Sequence, residues 1–165
     1  MPLTPRAEAM RRRVTNPVLF WFWSLWVLPA AWFCGLRLRD IDQAHCVTSV
    51  PYGWRSQNPF RSTYFAALAM AAEMSTGALV LLAVENVGVP VSTLIVDMKA
   101  TFGKKATGLA TFRCEQGAAA FAALAEAQAS GEPRVVAMET VGRLADGTEV
   151  ARFTFTWSVK VRARL

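Results

Sequence analysis

A chain of 165 residues, 53% hydrophobic and 18% charged, is long enough for one domain with a sizeable core and too apolar to stay disordered. Its net charge of +6 reads either as a solubilising surface or as a rim that attracts an anionic ligand. Cys34, Cys46 and Cys114 are scattered, odd in number and without C-x-x-C spacing. That speaks against a zinc site or a disulfide framework and for small buried side chains in a reducing, cytoplasmic compartment.

Met1 to Thr15, with Arg6, Arg11, Arg12 and Arg13, reads as a flexible basic arm, and 16–165 as a single domain. A helix is expected within Asn16 to Gly35, with Asn16 as cap and Pro17 at its first position. Pro17 to Leu36 is uncharged and follows three arginines, as a signal anchor would. Pro29 interrupts it, however, and its aromatic residues are spread along it rather than gathered at the ends. Spanning is not expected, while a peripheral membrane contact by this segment stays open. Leu36 to Ile41 and Cys46 to Tyr52 read as short strands around a turn at Asp42–Ala44, followed by a loop over Gly53 to Arg61.

Ser62 or Thr63 is placed to cap a central helix running to about Leu82. Its residues are apolar nearly all round, many of them small, so it must be buried on most sides. Glu73 at its middle makes it a poor bilayer span. Ser92 to Phe102 and Lys105 to Glu115 are expected to pair across Gly103–Lys104. A second helix over Gln116 to Ser130, with Phe121 and Leu124 as contacts, stops at Gly131. Arg134 to Leu144 and Glu149 to Arg162 form a hairpin around Asp146–Gly147. The last strand alternates: Ala151, Phe153, Phe155, Trp157, Val159 and Val161 face one way, polar residues the other. The expected class is α+β, a curved antiparallel sheet wrapped around a long central helix.

Strand, strand, buried helix and four further strands resemble the hotdog fold of acyl-thioester hydrolases and dehydratases. More narrowly, Pro51 to Gly77 (PYGWRSQNPFRSTYFAALAMAAEMSTG) resembles the domain-of-unknown-function 4442 family of that superfamily. The resemblance covers most of the chain after the arm. It implies acyl-CoA or an acyl carrier protein as substrate, and a homodimer or homotetramer with its pocket between protomers. The phenylacetate-pathway branch has a loop Asn, a His-Gly-Gly near the helix start and an acid on the helix. By that resemblance Asn58 matches the loop Asn and Glu73 the acid, while Tyr64, Phe65 and Ala66 replace His-Gly-Gly.

Residue chemistry points at Glu73 as well. A lone carboxylate in an apolar helix is costly to bury charged, and burial moves its pKa toward the range useful to a general base. The competing reading pairs it with Arg55 or Arg61, or with backbone. The N–H groups of Phe65 and Ala66 at the helix start are candidate oxyanion donors. Asn58, or Gln57, is a candidate to orient water or the carbonyl. Tyr64 is a pocket wall or a plain cap residue. His45, the single histidine, lacks the nucleophile elbow of a Ser-His-Asp site. Asp97 faces either a partner subunit or the pocket, on a strand whose Ile95, Val96 and Met98 look buried on both sides. Lys104 and Lys105 are solvated or meet the phosphates of coenzyme A. No metal-ligand cluster, cofactor motif or nucleic-acid motif is found. Two readings of function result: an acyl-thioester hydrolase, and a non-catalytic module for an acyl or other apolar ligand, the latter favoured by the missing His-Gly-Gly.

Overall fold

Prolines 5, 17 and 29 each open a helix, because proline lacks the N–H that a first helical turn leaves unpaired anyway. In the computed structural model, which describes residues 2–162, these are α1 (Pro5–Thr15), α2 (Pro17–Val27) and α3 (Pro29–Phe33). The Asn16 side chain accepts from the N–H groups of Val18 and Leu19 and so caps α2 as its sequence suggests. The single helix expected within Asn16 to Gly35 is divided at Leu28, since Pro29 has no N–H to continue the ladder.

The expected arm is instead a packed helix over most of its length. Ala7, Met10 and Val14 recur at helical spacing and are buried against the domain. Thr4 N–H donates to Asn86 Oδ1 at 2.8 Å, and Arg6 pairs with Glu85. Four arginines on the outer face hide this narrow apolar stripe in the sequence. Met1 of the proposed arm, and residues 163–165 of the proposed domain with Arg164, lie outside the described residues.

The chain continues through β1 (Arg37–Ile41), β2 (Cys46–Val50), α4 (Phe65–Val87), β3 (Val91–Phe102), β4 (Ala110–Cys114), α5 (Gly117–Ser130), β5 (Arg134–Arg143) and β6 (Glu149–Val161). The strands form one antiparallel sheet ordered β1-β2-β4-β5-β6-β3. Its inner face carries Phe112, Met138, Phe153, Phe155 and Trp157, all buried, so the alternation read in β6 is the core face. Cys46 and Cys114 are free thiols, buried opposite each other across β2 and β4.

Helix α4 is long and apolar enough to cross a bilayer, but 61% of its most apolar window is buried inside the domain. It is the core helix. Ser75 donates to Thr140 Oγ1 of β5 at 2.8 Å, and Thr48 of β2 donates to the Ala71 carbonyl at 2.6 Å. These buried bonds fix its register against the sheet. Neither Ser62 nor Thr63 caps it, because both hydroxyls are engaged elsewhere: Ser62 donates to Asn58 and Thr63 to the Ala106 carbonyl. It ends at Gly88, where φ is +73°, about a turn beyond the expected Leu82.

The expected β3–β4 hairpin does not form. β3 runs beside β6 from Val91↔Val161 to Phe102↔Ala151, and β4 sits between β2 and β5. A twelve-residue strand gains a longer ladder from the thirteen residues of β6 than from the five of β4. Gly103 then approaches the Glu149 carbonyl so closely that a Cβ would lie 2.9 Å from it, and the chain leaves the sheet. β3 thereby becomes an edge strand. Val96 and Met98 are exposed and Ile95 is half-buried, rather than all three buried on both sides; Leu94 is exposed as well, and a bulge separates Ile95 from Asp97. Replacing Met10 by Ala should lower the free energy of urea unfolding by about 2 kcal/mol, the cost of a buried cavity. An unpacked arm would leave the midpoint unchanged.

Candidate functional site

Glu73, Gly77, Leu81 and Val84 recur at intervals of three and four, forming one stripe along α4. This stripe faces a cavity of about 380 Å³ that α1 and α2 help to enclose. Val14, Phe20 and Trp23 form its outer wall and Trp157 part of its floor. Leu38 comes from β1 and Val91 and Thr93 from β3, so both free edges of the curled sheet reach it. The two N-terminal helices close the gap between those edges.

Within this apolar lining Glu73 is the one titratable side chain among the described residues. Gly77, one turn later, makes room for it: a Cβ there would sit 2.8 Å from Glu73 Oε1 and 3.1 Å from the Trp157 ring. The carboxyl has no hydrogen bond or ion pair among the described residues, and the alternative pairing with Arg55 or Arg61 is not formed. Nearby polar groups satisfy one another. Trp157 Nε1 donates to Thr76 Oγ1 at 3.1 Å, and the Thr76 hydroxyl donates to the Glu73 carbonyl at 3.0 Å. Burial with no compensating donor pushes the Glu73 carboxyl above the usual carboxylate range.

The other candidates gather at the N-terminal end of this helix. Asn58 is occupied in its own loop. Its Oδ1 accepts from Phe60 and Ser62 N–H, and its Nδ2 donates to Ser62 Oγ at 3.1 Å. Gln57 bridges Thr63. The Tyr64 and Phe65 rings are exposed and meet edge to face at 5.0 Å, with Phe102 beyond them. The Phe65 and Ala66 N–H groups have no acceptor among the described residues, as the first turn of a helix allows. At 1.5 Å per residue, Glu73 lies roughly 12 Å along the axis from Phe65. One chain therefore brings Asn58, Tyr64, Phe65 and Ala66 together and leaves Glu73 apart.

His45 bridges two carboxylates, with Nε2 2.9 Å from Asp40 and Nδ1 3.1 Å from Asp42, and forms part of a turn. Lys105 donates to the Phe60 carbonyl at 3.0 Å and holds the loop before α4. Asp97 is exposed on the β3 edge, away from the cavity. Sequence reasoning missed the cavity walls from α1 and α2. The legible signals were Gly77 four residues after Glu73, and the spacing of Met10 and Val14.

A curled antiparallel sheet closed around one long helix defines a hotdog-fold protein. The chain belongs to the family described as Domain of unknown function (DUF4442), which matches residues 22–159. Among solved structures it is similar to a Pseudomonas aeruginosa protein of unknown function described as a probable thioesterase. That pair shares 20% identity with a TM-score of 0.70, over 98% of this chain and 99% of that one. A thioesterase from Haemophilus influenzae matches at 12% identity and a TM-score of 0.61, over 96% of this chain and 92% of that one. A protein of unknown function from Chlorobaculum tepidum matches at 13% identity and 0.71, over 90% and 99% respectively. No curated relative matches the chain. At these identities the likeness establishes the fold.

A raised pKa in the folded state means that the folded protein holds the Glu73 proton more tightly than the unfolded chain does. The associated stability is fully present below the unfolded carboxylate pKa and is lost as pH rises through the raised folded value. Glu73→Gln should therefore melt higher than the parent at neutral pH, and the two melting curves should converge in acid. A Glu73 stabilised by a hidden cation would show the reverse order at neutral pH.

Proposed function

We propose that this protein binds an acyl thioester, carried by coenzyme A or an acyl carrier protein, and hydrolyses it with Glu73 as the general base. The observation that carries the reading is the unpartnered Glu73 carboxyl on the wall of an apolar cavity. A carboxyl without a partner among the described residues, its pKa raised by burial, is suited to take a proton from water. The apolar lining of this cavity of about 380 Å³ suits an acyl chain. The free N–H groups of Phe65 and Ala66 suit a developing oxyanion.

Base and oxyanion donors are too far apart in one chain to act on one thioester, so the reading includes a homodimer. The exposed β3 edge supports it: its backbone is unpaired on one side, and Leu94, Val96 and Met98 stand bare along it. A second copy added there supplies what the single chain separates. The second reading, a non-catalytic module for an apolar ligand, is favoured by Asn58, whose side chain is spent on its own loop.

Hydrolysis of an acyl-CoA panel, followed by thiol release, tests both. Glu73→Gln should lower kcat by about 10²-fold or more with little change in KM. A Leu94→Lys, Val96→Lys double variant should sediment as a monomer and lose turnover. Undiminished hydrolysis by Glu73→Gln and Glu73→Ala removes Glu73 from the chemistry. Tight acyl-CoA binding without turnover by the parent favours the second reading.

A further inference from the structure

Helix α2 is apolar on both sides, and only one side is packed against other described residues. Phe20, Trp23 and Val27 face the cavity. Val18, Leu19, Phe22 and Trp26 form a second stripe facing outward, with Trp26 83% and Phe22 57% exposed. Four large apolar side chains on eleven residues of a surface helix make a patch that needs an occupant.

The charges beside the stripe indicate its nature. Arg12 and Arg13 lie in the last turn of α1, shortly before Asn16, and both are exposed, Arg12 while paired with Glu8 at 3.1 Å. Arg13 has no partner among the described residues. Between Glu8, which pairs with Arg11 and Arg12, and Asp40 the chain has five arginines and no acidic residue. An outward aromatic stripe on a helix that follows exposed arginines suits the boundary between acyl chains and anionic headgroups. At 1.5 Å per residue α2 is roughly 16 Å long, too short to cross a hydrocarbon core of about 30 Å.

We propose that α2 is a docking surface for an anionic lipid bilayer, with Phe22 and Trp26 inserted at headgroup depth and Arg12 and Arg13 on the lipid phosphates. The inference goes beyond the thioester reading and stands without it. It also gives the cavity a source of ligand. Val27, Leu28 and Leu81 line the cavity and are themselves exposed, so the cavity reaches the surface next to Trp26. A lipid chain leaving the bilayer there enters an apolar space without crossing water.

Flotation of the full chain with vesicles of phosphatidylcholine, alone or mixed with phosphatidylglycerol, tests the docking. Binding to the mixed vesicles, weakened by added salt, is expected. Phe22→Ser with Trp26→Ser should weaken it at least tenfold. Arg12→Gln with Arg13→Gln should weaken it about fivefold per arginine and leave any residual binding insensitive to phosphatidylglycerol. All four side chains are exposed, and unchanged circular dichroism and melting would confirm intact variants. Absence of binding to the mixed vesicles overturns the proposal. So does binding that survives the Phe22 and Trp26 changes, or an oligomer in light scattering that these changes dissociate, which would assign the stripe to a second copy. Docking that persists in Glu73→Gln separates this result from the fate of the thioester reading.

Discussion

Everything here follows from burying one helix that is apolar nearly all round. A curled sheet covers only part of α4, along the faces bearing Leu68, Ala72, Leu79 and Leu82. The remaining stripe, through Glu73, Gly77 and Val84, would stand open between the sheet's two free edges. α1 and α2 fill that gap without packing it fully. Leu, Phe or Met at position 73 would have been the ordinary way to finish such a seam. A carboxyl with no donor costs stability there, and it persists beside a glycine that leaves it space.

The same arrangement explains why the site is divided. A helix holds the Glu73 carboxyl and its own N-terminal N–H groups at a fixed separation, and no side-chain rotation brings them together. The edge strand that could join two copies is bare and apolar, whereas the other edge, β1, is short and lies beneath the N-terminal helices. The chain thus presents two kinds of unfinished apolar surface, a flat strand edge and a helix face next to arginines. A strand edge recruits another strand, while an aromatic helix face flanked by positive charge recruits lipid.

Much of this was legible in residues. The alternation of β6, the Asp146–Gly147 hairpin, the Asn16 cap and the all-round apolarity of α4 are local patterns, and each reports burial directly. Strand partners are not local. Nothing near Gly103–Lys104 distinguishes a hairpin from a strand that leaves the sheet, and the choice of β6 for β3 is made by ladder length. α1 was misread because four arginines dominate its composition, while Ala7, Met10 and Val14 show as a core face only once a groove exists to receive them. Glu73 stood out, but its isolation from Asn58 and the α4 N-terminus is a matter of distance along an axis and of bonds within a loop.

The state of the Glu73 carboxyl decides most directly between a poised acid–base group and an inert one. Carbon-13 NMR titration of glutamate side-chain carboxyls, with Glu73→Gln to assign the resonance, measures it. A midpoint well above the other glutamates is the predicted result. A midpoint at or below theirs would mean that a donor or cation holds the carboxylate charged, and would contradict the apolar, unpartnered site on which the account depends.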